Sequence, residues 1–136
     1  MRFLTVLLMF TLTACAATKP NIHAKSNHEL TYEQVVSNIE TYQQQTVRWG
    51  GIIAAVANYE NFSELTIVQF PLTRYGVPIT TEKSAGRFIV RSDDFLDPII
   101  YSPEKRVTFL GTVQSLQLQK VDQKMLSLPL ITLGES

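Results

Sequence analysis

Thr46-Val-Arg-Trp-Gly-Gly-Ile-Ile-Ala-Ala-Val-Ala-Asn58 is the stretch on which the fold turns. Before it, apolar residues recur every three or four positions. From Thr46 onward the period falls to about two and turn residues punctuate short runs, the pattern of a small β-sandwich or barrel. The run predicts a first strand over 46–58, long and apolar on both sides. Its central Gly50-Gly51 predicts a bulge or a sharp coil, because a glycine pair weakens a flat strand but permits a bend. A phosphate-cradling role for this pair is disfavoured, since no helix follows and no Lys-Ser/Thr accompanies it.

Immediately upstream, Thr31-Tyr-Glu-Gln34 fits a capping box, with a hydroxyl at the N-cap and Gln at the third helical position. Tyr32, Val35, Val36, Ile39 and Tyr42 then place one apolar stripe on a helix running to about Gln44, with Glu33, Asn38, Glu40 and Gln43 on the other face. The stripe carries nothing reactive and is read as packing against a sheet.

Downstream, Tyr59–Ser63 is a turn and Glu64–Phe70 a second strand that Pro71 ends. Leu72–Ala85, with Gly76 and Pro78, is a long loop of a length that is often functional or mobile. Gly86–Ser92 makes a third strand, with Phe88 and Val90 on one face and Arg87, Ile89 and Arg91 on the other. Arg87 and Arg91 thus share a face: they can hold an anion between them, or form surface ion pairs with Asp93, Asp94 or Glu64. In Phe95-Leu-Asp-Pro-Ile-Ile-Tyr101, Asp97 is placed to cap and Pro98 to open a single helical turn ending near Ser102-Pro103. Lys105–Leu118 is a fourth strand whose apolar phase slips near Gln114-Ser115, implying a bulge or a crossing between barrel faces. Lys120–Lys124 is a polar turn. Leu126, Leu128 and Leu130 begin a fifth strand, which Pro129 confines to an edge or a bulge.

The other end of the chain carries a different signal. Met1-Arg2 followed by apolar Phe3–Leu12 and the small residues Thr13-Ala14 has the plan of a secretory signal. Its core is too short to span a bilayer, which takes about 20 residues. Leu12-Thr-Ala-Cys15 resembles a bacterial lipobox, at which cysteine is diacylated, the signal cleaved and the new amine acylated. Residues 1–14 are therefore expected to be a signal peptide and Cys15 the lipidation site, holding the mature chain to outer-membrane lipid. Two or more acyl chains anchor stably where one does not. Ala16 rather than Asp follows Cys15, so by resemblance to enteric lipoproteins no inner-membrane retention signal is present and the domain is expected to face the periplasm.

Residues 15–30 are polar and small and read as a flexible tether ahead of one domain over 31–136. His23 and His28 lie in that tether without further ligands at short spacing, which speaks against a metal site. Without Arg2 of the signal, eleven basic stand against twelve acidic side chains, so no clustered basic footprint for nucleic acid is expected. Cys15 is the sole cysteine, which excludes an internal disulfide.

Arg48-Trp-Gly-Gly-Ile52, Val68-Gln-Phe-Pro-Leu72 with Gly76 and Pro78, Gly86-Arg-Phe88, Phe95-Leu-Asp-Pro98 with Tyr101, and Val107-Thr-Phe-Leu-Gly-Thr112 occur in a definite order and spacing. In these the chain resembles the Slp family of starvation-inducible outer-membrane lipoproteins. The resemblance covers nearly the whole mature domain. It implies an OB-like β-barrel, a role in starvation or stationary-phase envelope physiology, and no established catalytic residue. Many members carry further aromatic residues past the last barrel strand, whereas this sequence stops at Gly134-Glu135-Ser136. The expected architecture is all-β: a small five-stranded OB-like barrel preceded by one N-terminal amphipathic helix.

Two functional classes follow. The first is a non-enzymatic envelope protein, without cofactor, that binds a protein or glycan partner or stabilises something near the outer membrane. Arg87, Arg91, Asp97 and Tyr101 are its candidate ligand or structural residues. The second is a carboxylate-based hydrolase acting on envelope glycan, with Glu64, Asp93, Asp94, Asp97 and Glu104 as the pool.

Overall fold

The computed structural model describes residues 29–134. The elements are α1 (Tyr32–Ser37), α2 (Ile39–Tyr42), β1 (Thr46–Asn58), β2 (Ser63–Phe70), β3 (Arg87–Ser92), β4 (Arg106–Val121) and β5 (Lys124–Thr132). The chain is mostly β, as the change of period at Thr46 requires.

Thr31 caps α1 reciprocally: its hydroxyl accepts from the Gln34 N–H at 3.2 Å, and the Gln34 side chain accepts from the Thr31 N–H at 2.9 Å. The single helix expected to reach Gln44 is instead two segments, broken at Asn38 (φ −153°, ψ 65°). The Ser37 hydroxyl donates to the Gln34 carbonyl at 2.8 Å, competing with the helix for its own backbone. The break also keeps Val35, Ile39 and Tyr42 all packed against the core. Gln44, at φ 68°, then reverses the chain into β1.

β1 is the seam of the sheet. Its first half pairs antiparallel with β4, from Thr46↔Thr112 to Ile52↔Arg106, and its second half with β2, from Gly50↔Phe70 to Asn58↔Ser63. β2 pairs antiparallel with β3, β3 runs parallel to β5, and β5 returns antiparallel to β4, so the order β1-β2-β3-β5-β4 closes on itself. Gly50, Gly51 and Ile52 have a partner on both sides, and the glycines are explained by that crowding. A Cβ on Gly51 would stand 1.8 Å from the Val68 carbonyl oxygen, and one on Gly50 2.4 Å from that of Val107. The β1 bulge falls later, between Ile53 and Ala55, where only β2 remains in register.

The interior is filled from every strand: Val47, Trp49 and Ile53, Leu65 and Ile67, Phe88 and Val90, Val113, and Ile131, with Tyr32 and Val35 of α1 in the same cluster. Trp49 lies between Phe88, edge-on at 5.4 Å, and Tyr32 at 5.6 Å. Each fully buried side chain of this size contributes about 1.5–3 kcal/mol by leaving water.

The phase slip in β4 falls between Val113 and Ser115, against β5. Past it, β4 and β5 continue as a two-stranded arm. Pro129 is buried within it, paired to Leu116, and the ladder to β3 begins one residue later at Leu130. Its missing N–H therefore costs no bond in that ladder.

The 95–101 segment makes the single turn expected of it. Asp97 caps, its Oδ1 accepting from the Ile99 N–H at 2.8 Å, and the turn goes no further into a helix. Hydrogen bonds from the Ile100 and Tyr101 N–H groups to the Asp97 carbonyl make a turn, which the Lys105 ammonium closes on the Ile99 and Ile100 carbonyls. Lys105 supplies by side chain what a continuing helix would supply by backbone.

Candidate ligand-binding cleft

Arg48 and Trp49, adjacent on β1, point to opposite sides of the sheet. The Trp49 indole N–H donates to the Leu30 carbonyl at 2.7 Å, fixing the segment before α1 against the barrel. Arg48 forms an ion pair with Glu29 of the same segment. The loop after β2 is more firmly held than its length suggested. Leu72 bridges to Pro78, Thr73 and Val77 bond across a turn, the Ile79 N–H donates to the Pro71 carbonyl, and the Thr108 hydroxyl donates to the Gly76 carbonyl at 2.6 Å. Gly76, at φ +83°, lies over the Arg48 guanidinium. On the far side the Ala85 N–H donates to the Gln69 side chain at 3.0 Å.

Between these walls lies a cleft of about 280 Å³, lined by Glu29, Leu30, Arg48, Trp49, Phe70, Pro71, Leu72 and Lys83 among others. That is just below the roughly 300–1,000 Å³ of small-molecule sites. Tyr32 is at its base. Its hydroxyl donates to the Arg87 carbonyl at 2.9 Å, and burial pushes its pKa above the ordinary 10, against the lowering effect of that hydrogen bond.

The residues singled out from sequence lie elsewhere. Arg91 is engaged by Glu64, its Nε and Nη2 donating to Oε1 at 3.1 and 2.6 Å, while Gln117 bridges both. The guanidinium also lies 4.5 Å from the centre of the Phe62 ring. Glu64 is buried, so this is no surface pair. Arg87 shares the outer face with Arg91, and Ile89 between them packs with Leu128 and Leu130. Asp97 serves its turn, and Tyr101 packs half-buried against the core. With Glu64 spent on Arg91 and Asp97 on its turn, the hydrolase reading gains no support. Among the described residues no group of three or more metal-ligating side chains occurs. Cys15, His23 and His28 lie outside the described residues, as do the signal peptide and most of the expected tether.

Sequence reasoning missed the cleft because its walls come from four separated stretches of unremarkable composition. The one available signal was Arg48-Trp49 beside the paired glycines.

What the fold and cleft define is a small β domain with an open recess where its N-terminal segment meets the barrel. A profile described as outer membrane lipoprotein Slp family matches residues 12–136, and the chain belongs to that family. It is 32% identical over 112 residues to the outer membrane protein Slp of Escherichia coli (strain K12), covering 81% of this chain and 59% of that protein. It is 32% identical over 80 residues to the uncharacterized lipoprotein YeaY of the same organism, covering 59% of this chain and 41% of that one. To an uncharacterized protein of Haemophilus influenzae it is 25% identical over 125 residues, covering 91% of this chain and 68% of that one. The chain thus spans about three fifths of the Slp protein it matches.

Proposed function

We propose that this chain is a lipid-anchored, non-enzymatic binding module at the periplasmic face of the outer membrane, serving the envelope under starvation or stationary-phase stress. The observation that carries the reading is that the family match begins at residue 12 and so takes in Leu12-Thr-Ala-Cys15. No helix among the described residues is long and apolar enough to cross a membrane, and acylation of Cys15 would supply the attachment. Fourteen residue steps separate Cys15 from Glu29, so the barrel would be held within about 50 Å of the bilayer.

The domain is read as an OB-type barrel. The closed order β1-β2-β3-β5-β4, the parallel β3–β5 contact and the turn between β3 and β4 support this. Barrels of that type bind on one face, in keeping with a partner or glycan in the envelope rather than a reaction.

Labelling cells with radioactive palmitate and separating membranes on a density gradient tests the anchor. The wild-type chain should carry label and sediment with the outer membrane, and Cys15→Ala should carry none and leave that fraction. A Cys15→Ala chain still found mature in the outer membrane overturns the anchor. In-cell crosslinking of the lipidated protein followed by mass spectrometry tests the binding role. A recurrent envelope partner is expected, and capture of none overturns it.

A further inference from the structure

We propose that the cleft beside Trp49 takes a small organic carboxylate with a compact apolar body, and that Glu29 of the chain competes for the same guanidinium. This rests on the reading of the domain as a binding module and names the ligand class of its recess.

Three observations converge. First, the anion subsite already holds a carboxylate: Arg48 pairs with Glu29 through Nη2, and the pair is exposed enough, at 35% and 55%, for exchange with solvent. Second, the guanidinium is positioned rather than free. A Cβ at Gly76 would meet Arg48 Nη1 at 3.4 Å, so the loop backbone flanks that side of the guanidinium, while Nη2 is the nitrogen that meets the Glu29 carboxylate. Third, the remaining lining is mixed, with Leu30, Phe70, Pro71 and Leu72 for an apolar body, Lys83 as a second cation and Glu33 as a second carboxylate that opposes an anionic ligand. A volume of about 280 Å³ suits a ligand near the lower size limit of small-molecule sites.

The competition has a directional consequence. An exposed ion pair holds its partners only weakly, so replacing Glu29 by Gln should tighten ligand binding by about two- to fivefold. Replacing Arg48 by Gln should abolish it.

Trp49 is the only tryptophan and, though 5% exposed, borders the cleft with its indole N–H on the Leu30 carbonyl of the wall, so its emission reports occupancy through that wall. The full chain, purified in detergent, is titrated with phenylacetate and with the isosteric neutral phenylacetamide. Expected are a saturable change in Trp49 emission with phenylacetate, at least about tenfold weaker binding of the amide, tighter phenylacetate binding by Glu29→Gln, and no response by Arg48→Gln. Equal binding of acid and amide, undiminished binding by Arg48→Gln, or an unchanged affinity in Glu29→Gln overturns the proposal. Glu29→Gln keeps Arg48 and the core intact, so it remains decisive even where Arg48→Gln disturbs the fold. Absence of any phenylacetate response while envelope crosslinks persist overturns this ligand class and leaves the binding module standing.

Discussion

Replacing Arg91 by Leu strands a buried carboxylate. Glu64 is 7% exposed and takes two hydrogen bonds from Arg91 and one from Gln117, so the variant leaves it the neutral amide alone. Breaking a buried pair by removing one partner costs about 3–5 kcal/mol. Arg91 itself keeps 31% of its side chain in water, which points to the lower end, about 3 kcal/mol. For a domain of this size that corresponds to a fall in Tm on the order of 15 °C. The double variant Glu64→Leu/Arg91→Leu should recover most of the loss. It removes both charges at once from a face where Ile89, Leu128 and Leu130 already pack. Urea unfolding followed by Trp49 fluorescence and circular dichroism measures wild type and both variants. The reasoning fails if Arg91→Leu stays within about 1 kcal/mol of wild type, the range of a surface pair, or if the double variant is as damaged as the single one.

Two further outcomes follow from the core. Gly51→Ala places a methyl 1.8 Å from the Val68 carbonyl oxygen on paired backbone, so β1 must move away from β2. A loss of about 3 kcal/mol or more is expected in the same unfolding assay. Tyr32→Phe removes the hydrogen bond to the Arg87 carbonyl and should cost about 1 kcal/mol at pH 7–9. Because burial raises the Tyr32 pKa, the wild type retains that proton more firmly folded than unfolded. Its stability should fall as pH rises from about 10 towards the higher folded value, whereas the Tyr32→Phe protein has no such dependence. The gap between the two proteins should narrow in unfolding curves taken above about pH 10.

The period-two alternation told where the strands lie because it depends on neighbours one and two residues away. Phe88 and Val90 share one face as read, which the structure turns inward, and the β4 slip falls at Val113/Ser115, next to where the apolar phase changed. What alternation does not encode is which edges meet. Gly50-Gly51 looked like a bend because a glycine pair in an isolated strand has no other use. With β2 on one side and β4 on the other, the same pair is what lets three backbones share one point. Arg91 does pair with Glu64, one of its expected partners, but the burial of that pair was missed for a related reason. On a strand open to water it would be a surface cation, and only the closure that turns the β4–β5 arm back towards β2 brings Gln117 to it and buries Glu64. The cleft depends on closure still further. Glu29, Arg48, Phe70 and Lys83 are spread over more than fifty positions, and no motif links them. They converge because β1 pairs with β2 and the Trp49–Leu30 hydrogen bond draws the incoming segment across the same end of the sheet. Loss of that bond should therefore open the cleft wall before it unfolds the barrel, since Trp49 would keep Phe88 and Tyr32 as ring partners.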